Sequence, residues 1–87
     1  MYYVYILWSE KLHRFYVGST NDLHDRYYRH NGGQEKYTSK GVPWILKWNF
    51  TFSTRAEAFR LEQKIKSRGI KRFLENIEKN TGSSAGR

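Results

Sequence analysis

The chain has 87 residues, a formal net charge of +8 and no cysteine. The lack of cysteine excludes a disulfide scaffold, a thiolate zinc site and a cysteine nucleophile. A single domain of this size buries only about 60% of its unfolded surface, so the aromatic residues, 17% of the sequence, must fill much of a thin core.

Two strands are predicted at the start of the chain. Residues 2–8 place Val4 and Ile6 on one face and Tyr5 on the other, and residues 15–18 form a short partner strand that contains Tyr16. If the aliphatic faces line the main core, Tyr5 and Tyr16 emerge together on the opposite face. An ordinary cross-strand aromatic pair is the simpler interpretation of the two phenols.

The first apolar run is too short to span a bilayer, and no basic leader precedes it. We therefore expect a soluble cytoplasmic protein without a membrane partner.

A helix is predicted over residues 22–30, after N-cap candidates at 19–22 and before the glycines at 32 and 33. Leu23, Arg26, Tyr27 and His30 share one face of this helix. A guanidinium beside apolar residues indicates a nearby anion, either a phosphate or a carboxylate. A structural salt bridge for Arg26, with His30 on the surface, is the alternative.

The second half of the chain predicts one strand and two helices. After a polar loop at 34–43, a strand is predicted whose alternating apolar residues form one buried face. Those residues are Trp44, Leu46, Trp48, Phe50 and Phe52. Ser53 or Thr54 is expected to cap a helix that runs to about Ser67, and Thr54 and Glu57 have capping-box spacing. A third helix is predicted from Ile70 to about Lys79.

The predicted fold class is therefore α+β, with the order β-β-α-β-α-α and a three-stranded, mostly antiparallel sheet flanked by helices. One domain is expected at 1–80, followed by a disordered tail at 81–87.

Glu62 is a carboxylate on the apolar side of the second predicted helix, four residues after Ala58 and three before Ile65. Such a placement is costly unless the carboxylate pairs with a cation or holds a metal. A structural Glu62–Arg26 bridge would satisfy both residues, so this alternative stays open.

The positive charge is concentrated in the later part of the chain, where 12 of the 16 Lys and Arg residues follow Gly32. This distribution favours a nucleic-acid partner, although a merely basic surface or attraction to anionic lipid would also produce it. The residues expected to carry nucleic-acid affinity are Lys64, Lys66, Arg68, Lys71 and Arg72.

In order along the chain, these features resemble the GIY-YIG nuclease family, in its small stand-alone single-domain branch. Tyr3-Val4-Tyr5 and Tyr16-Val17-Gly18 stand at the two triplets, and the second continues through Leu23 to Arg26 and His30. Further similarity to this branch lies at Thr38, Gly41, Pro43-Trp44, Glu57-Ala58 and Glu62. The likeness covers residues 2 to about 70.

The resemblance implies an endonuclease that hydrolyses phosphodiester bonds in DNA with a divalent cation, Mg²⁺ or Mn²⁺. Glu62 matches the metal-binding glutamate, Arg26 the arginine that stabilises phosphate charge, and His30 a position near the attacking water. Tyr5 and Tyr16 match the tyrosines that position and deprotonate that water. Tyr5 is the preferred base, with the choice between the two left open. Structure-selective cutting, a link to DNA repair or recombination, and a recruiting protein are further expectations.

The sequence also departs from the family pattern. Tyr3 replaces the first glycine, Ser19 stands where some members carry a lysine, and Asn76 is the nearest counterpart of a late asparagine. A non-catalytic nucleic-acid-binding module that retains the fold is the alternative function, and a purely structural domain is a third.

Overall fold

The computed structural model describes residues 1–33, 36 and 38–85, with side chains as far as Glu78. Two strands, β1 (Tyr2–Ser9) and β2 (Arg14–Thr20), precede helix α1 (Leu23–Asn31) and a 3₁₀ turn (Ser39–Gly41). Strand β3 (Trp44–Phe52) then leads to helices α2 (Arg55–Arg68) and α3 (Ile70–Ala85). The predicted α+β class and the order β-β-α-β-α-α are confirmed. Among the described helices, none has the length and apolar character needed to cross a membrane.

The helix starts follow their capping residues. The Asp22 carboxylate accepts a hydrogen bond from the backbone N–H of Asp25 at 3.0 Å, and the Thr54 hydroxyl accepts one from that of Glu57 at 3.3 Å. Helix α3 continues past the expected end near Lys79 to Ala85. The domain limit at residue 80 and the tail at 81–87 stay predictions, and residues 86 and 87 lie outside the described part of the chain.

The sheet has the order β2-β1-β3, with both neighbours antiparallel to β1. Because side chains alternate along a strand, β1 supplies a core on each face. Val4 and Ile6 pack with Ala58 and Ile65 of α2, and this core extends to α3. Tyr5, on the opposite face, belongs to a second core that includes Leu7 and Trp44 and extends to α1. The sheet is therefore covered by helices on both faces.

Strand β3 contributes to both cores, so the prediction of a single buried face is wrong. Ile6 pairs with Trp48, whereas the next β1 residue, Leu7, pairs with Leu46, which leaves Lys47 as an extra residue. A bulge of this kind reverses the side-chain alternation. Leu46 consequently packs on the α1 side and Trp48 on the α2 side. Phe50 remains 53% exposed.

Helix α1 is fastened to the start of β3 by polar contacts. The Tyr27 hydroxyl donates to the backbone oxygen of Trp44 at 2.8 Å, and the Asn31 amide donates to the same oxygen at 3.0 Å. The Asn31 side-chain oxygen also accepts a hydrogen bond from the Trp44 backbone N–H. These bonds fix the helix face that carries Arg26 and His30 against the sheet.

Candidate functional site

Tyr5 lies at the centre of the α1-side core. Its side chain is fully buried, and its cross-strand partner on β2 is Gly18. A Cβ atom at Gly18 would stand 2.6 Å from the Tyr5 hydroxyl oxygen. The hydroxyl therefore lies directly over the Gly18 backbone, in space that only glycine leaves open.

The Tyr5 hydroxyl begins a buried hydrogen-bonded chain. It lies 3.1 Å from Nε2 of His30, whose Nδ1 lies 2.7 Å from the Thr38 hydroxyl. His30 is fully buried, so the alternative of a surface histidine is wrong. The backbone oxygen of Thr38 accepts a hydrogen bond at 2.7 Å from the indole N–H of Trp44. Proton transfer along this chain can connect Tyr5 with His30.

The pKa of Tyr5 is raised far above its ordinary value. Burial is the largest cause, because desolvation disfavours the phenolate, and neighbouring Tyr16 and the negative charge of Glu62 act in the same direction. The positive charge of the neighbouring Arg26 guanidinium opposes them by favouring the phenolate. Tyr5 is therefore protonated at neutral pH, and Tyr16, Arg26 and Glu62 all influence its pKa.

Tyr16 is half-buried and lies closer to solvent than Tyr5. The ring centroids of the two tyrosines are 6.3 Å apart, and the Tyr16 ring meets that of His30 edge-on at 5.0 Å. Trp44 contacts its other side at 6.2 Å. The two phenols lie on one face as predicted, in an aromatic cluster that also contains His30, but Tyr5 is fully buried in the α1-side core and does not emerge.

Glu62 is held on the other face of the sheet. Its Oε1 accepts a hydrogen bond from the Ser19 hydroxyl at 2.6 Å, and its Oε2 lies 3.0 Å from the Lys66 ammonium. Only 13% of its side chain is exposed. Among the described residues Glu62 forms its ion pair with Lys66 and not with Arg26, so the alternative of a structural Glu62–Arg26 bridge is not observed.

The expected site residues therefore form two groups, separated by strand β2. Alternation directs Tyr16 and Gly18 toward α1, whereas Ser19 reaches Glu62 on α2. Because β2 is an edge strand, a ligand that passes round this edge can approach both groups. The effect of Glu62 on the Tyr5 pKa indicates that the groups are electrostatically close.

Glu62 is chemically suited to a hydrated magnesium ion. Mg²⁺ keeps several waters and commonly takes one or two protein carboxylates together with substrate phosphate oxygens. No cluster of three or more His, Cys, Asp or Glu side chains occurs among the described residues. Glu62 would be the protein ligand, and Lys66 would have to leave Oε2.

The five residues expected to bind nucleic acid are all exposed, on α2 and at the start of α3. Lys66 is engaged with Glu62, and Lys71 lines a groove on the α3 side of the sheet. Nε of the Arg68 guanidinium lies 3.2 Å from the side-chain amide of half-buried Asn76. Their nucleic-acid role stays a prediction.

The sequence interpretation missed the partners of the site residues. Ser19 and Thr38 carry ordinary hydroxyls with no periodicity of their own, and each contacts a residue from a distant segment. Lys66 is four residues after Glu62, a spacing that predicts a helical ion pair. That spacing was the available signal.

Comparisons with known proteins place the fold and its motifs in a family. Residues 1–76 match the model described as the GIY-YIG catalytic domain. The UPF0213 protein SH2523 of Staphylococcus haemolyticus is 36% identical over 78 residues, which is 88% of this chain and 94% of that protein. The UPF0213 protein VNG_2274C of Halobacterium salinarum is 34% identical over 76% of this chain and 86% of its own length.

A solved structure gives the same result. The solution NMR structure of the UPF0213 protein BH0048 from Bacillus halodurans has a TM-score of 0.56 and 30% sequence identity, covering 90% of this chain and 84% of the other. The motifs, the family-model match and the fold agree, and the chain belongs to the GIY-YIG catalytic domain family.

Proposed function

We propose that this protein is a divalent-metal-dependent endonuclease that hydrolyses phosphodiester bonds in DNA. The observation that carries the proposal is the set of groups around the Tyr5 hydroxyl. Nε2 of His30 lies 3.1 Å from this hydroxyl, and the charges of Arg26 and Glu62 both affect its ionisation. Membership of the family supports the reaction class.

In the proposed reaction, Arg26 binds a non-bridging phosphate oxygen and stabilises the negative charge that grows there. Among the described residues it has no carboxylate partner within ion-pair distance, which leaves its charge for a substrate anion. A Mg²⁺ ion on Glu62 would neutralise phosphate charge and lower the pKa of its bound water.

Tyr5 would accept a proton from the attacking water as the water oxygen bonds to phosphorus and the bond to the leaving oxygen breaks, a role that requires its fully buried hydroxyl to become accessible when substrate binds. Because Tyr5 is protonated at rest, it can accept this proton only by passing its own to Nε2 of His30. Thr38 would then accept a hydrogen bond from Nδ1 and stabilise the imidazolium. Tyr16, half-buried beside this pair, is the alternative base.

The test is cleavage of branched, flapped and plain duplex DNA with Mg²⁺ or Mn²⁺. Glu62→Gln keeps the shape of the side chain and an oxygen for Ser19, and we expect it to abolish cutting while the protein stays folded. Glu75→Gln, at an exposed position on α3, is the matched control and should cut like wild type. Salt-sensitive binding of every substrate without cutting would contradict the proposal and favour a non-catalytic binding module.

Two further comparisons identify the base. If Tyr5 is the base, Tyr5→Phe abolishes cutting. His30→Gln then shifts the pH dependence of the cleavage rate relative to wild type. Loss of cutting in Tyr16→Phe, with activity retained in Tyr5→Phe, would assign the role to Tyr16. Structure-selective cutting would show as a preference for flaps or branches over duplex, which would accord with a repair role. A cytoplasmic location and recruitment by another protein are parts of the same proposal.

A further inference from the structure

A basic cleft of about 350 Å³ opens beside Tyr16 at the edge of the sheet. Arg14, at the start of β2, and Lys40, in the 3₁₀ turn, are its cationic side chains, and Arg14 is exposed. Tyr16, Thr38 and Trp44 contribute to its wall. We call this feature the Tyr16 cleft.

The charge of the Tyr16 cleft is of one sign. None of the described residues that line it is acidic. A larger groove of about 650 Å³ on the α3 side carries Lys47 and Lys71 but also Glu75 and Glu78, so its formal charges cancel. Of these two concavities, the Tyr16 cleft is therefore the one whose charge complements a polyanion.

Two residues that line the cleft contact His30 of the proposed catalytic site. Tyr16 contacts His30 ring to ring at 5.0 Å, and Thr38 lies 2.7 Å from the same imidazole. Arg14, Tyr16 and Gly18 alternate along β2, so Arg14 lies about 13 Å from Gly18 at the usual strand rise. A nucleic-acid strand that runs from Gly18 along the edge of the sheet would meet Tyr16 and then Arg14.

We propose that the Tyr16 cleft binds the nucleic-acid strand that flanks the reacting phosphodiester. Arg14 and Lys40 contact its phosphate oxygens, and the Tyr16 ring packs against a sugar or base. The proposal rests on the proposed function for the position of the reacting bond, and it adds a binding surface outside the basic residues of α2 and α3. Charge contacts of this kind position a substrate without reading its sequence.

The test measures binding without cleavage. A short fluorescein-labelled DNA, single-stranded or flapped, is titrated in EDTA at several salt concentrations, and binding is followed by anisotropy. Arg14→Gln/Lys40→Gln should reduce the slope of log K against log[salt] by about 1.4 to 1.8, the value for two lost phosphate contacts. Lys47→Gln/Arg60→Gln removes the same charge at two exposed positions outside the cleft and outside the basic residues expected to bind nucleic acid, and it should change the slope less. An unchanged slope in the first variant, or a larger change in the second, would overturn the proposal.

A second measurement covers the case in which the double variant does not fold. Arg14→Lys/Lys40→Arg keeps both charges and should retain the wild-type slope. With wild-type protein, a neutral methylphosphonate beside the cut position should weaken binding, and the same change at a distant position should not. Equal losses of affinity at the two methylphosphonate positions would overturn the proposal that the Tyr16 cleft binds the flanking strand. Glu62→Gln separates the two proposals, because it should bind at least as tightly as wild type, having lost a negative charge beside Lys66, yet not cut. If it cuts, the proposed function fails while the binding result stands.

Discussion

Replacing Gly18 by alanine tests how closely the site is packed. Gly18 is buried in β2 and has no positive φ, so its strand backbone suits alanine. An added Cβ would lie 2.6 Å from the Tyr5 hydroxyl oxygen, 2.8 Å from Tyr5 Cζ and 3.3 Å from Tyr16 Cε2. The first two distances are shorter than any real contact of a Cβ atom, so either Tyr5 or the β2 backbone must move.

The expected cost follows from where Tyr5 can go. Its ring is fully buried, so the overlap resembles insertion of a methyl group into a packed core, which costs about 1–3 kcal/mol. Displacement of the hydroxyl from His30 would leave buried polar atoms unpaired, at about 1–3 kcal/mol. The lower unfolded-state entropy of alanine offsets about 0.5–1 kcal/mol. We expect a net loss of about 2 kcal/mol, or a fall in melting temperature on the order of 10 °C for a domain of this size.

Urea and thermal unfolding of Gly18→Ala, Tyr5→Phe and the double variant provide the assay. Phenylalanine removes the oxygen at 2.6 Å but keeps the ring carbon at 2.8 Å, so the second substitution should relieve about half of the damage. Gly33→Ala is the control, because its added Cβ meets no atom within 4 Å and any cost arises from its φ of +74°. A Gly18→Ala protein as stable as wild type, or strict additivity with Tyr5→Phe, would refute the reasoning.

Three other changes test neighbouring parts of the structure. Above about pH 10 the unfolded chain ionises Tyr5 while the folded protein keeps its proton, so the stability difference between wild type and Tyr5→Phe should fall by up to about 1.4 kcal/mol per pH unit. Urea unfolding at several alkaline pH values measures it, and a constant difference would contradict the raised pKa. Lys66→Gln should strengthen Mn²⁺ binding at Glu62 about two- to fivefold in calorimetry, because the competing ammonium is partly exposed and weakly held. Lys64→Gln should leave the Mn²⁺ affinity unchanged. Equal Mn²⁺ affinities for wild type, Lys66→Gln and Lys64→Gln would show that Lys66 does not compete with the metal. Asn31→Ala should lower the free energy of unfolding by about 1–3 kcal/mol, since it removes both bonds to the Trp44 backbone, and an unchanged urea midpoint would show that they contribute nothing.

Local patterns in the sequence predicted most of the fold. Alternation in β1 separated Val4 and Ile6 from Tyr5, and the structure assigns them to different cores. The caps at Asp22 and Thr54 fixed the starts of two helices within a residue or so, because a capping bond joins residues only three apart. These features depend on near neighbours, which a sequence shows directly.

Features that depend on residues distant in the sequence were harder to predict. The bulge at Lys47 arises where β3 pairs with β1, and nothing in the strict alternation of β3 itself marks it. The burial of His30 likewise depends on Thr38 and Tyr5, from different segments. For Glu62, the apolar helix face predicted a partner, but the choice of Ser19 and Lys66 over Arg26 follows from the side of the sheet on which α2 packs.

The division of the site across β2 explains why this strand must lie at the edge of the sheet. The same alternation that directs Tyr16 and Gly18 toward α1 directs Ser19 toward Glu62, so no single face of β2 presents both the phenols and the carboxylate. If β2 had a strand on its open side, that strand would cover the path round this edge. The order β2-β1-β3 leaves that path open. A peptide or second copy that paired with the β2 edge would therefore block the site without touching Tyr5, Arg26 or Glu62.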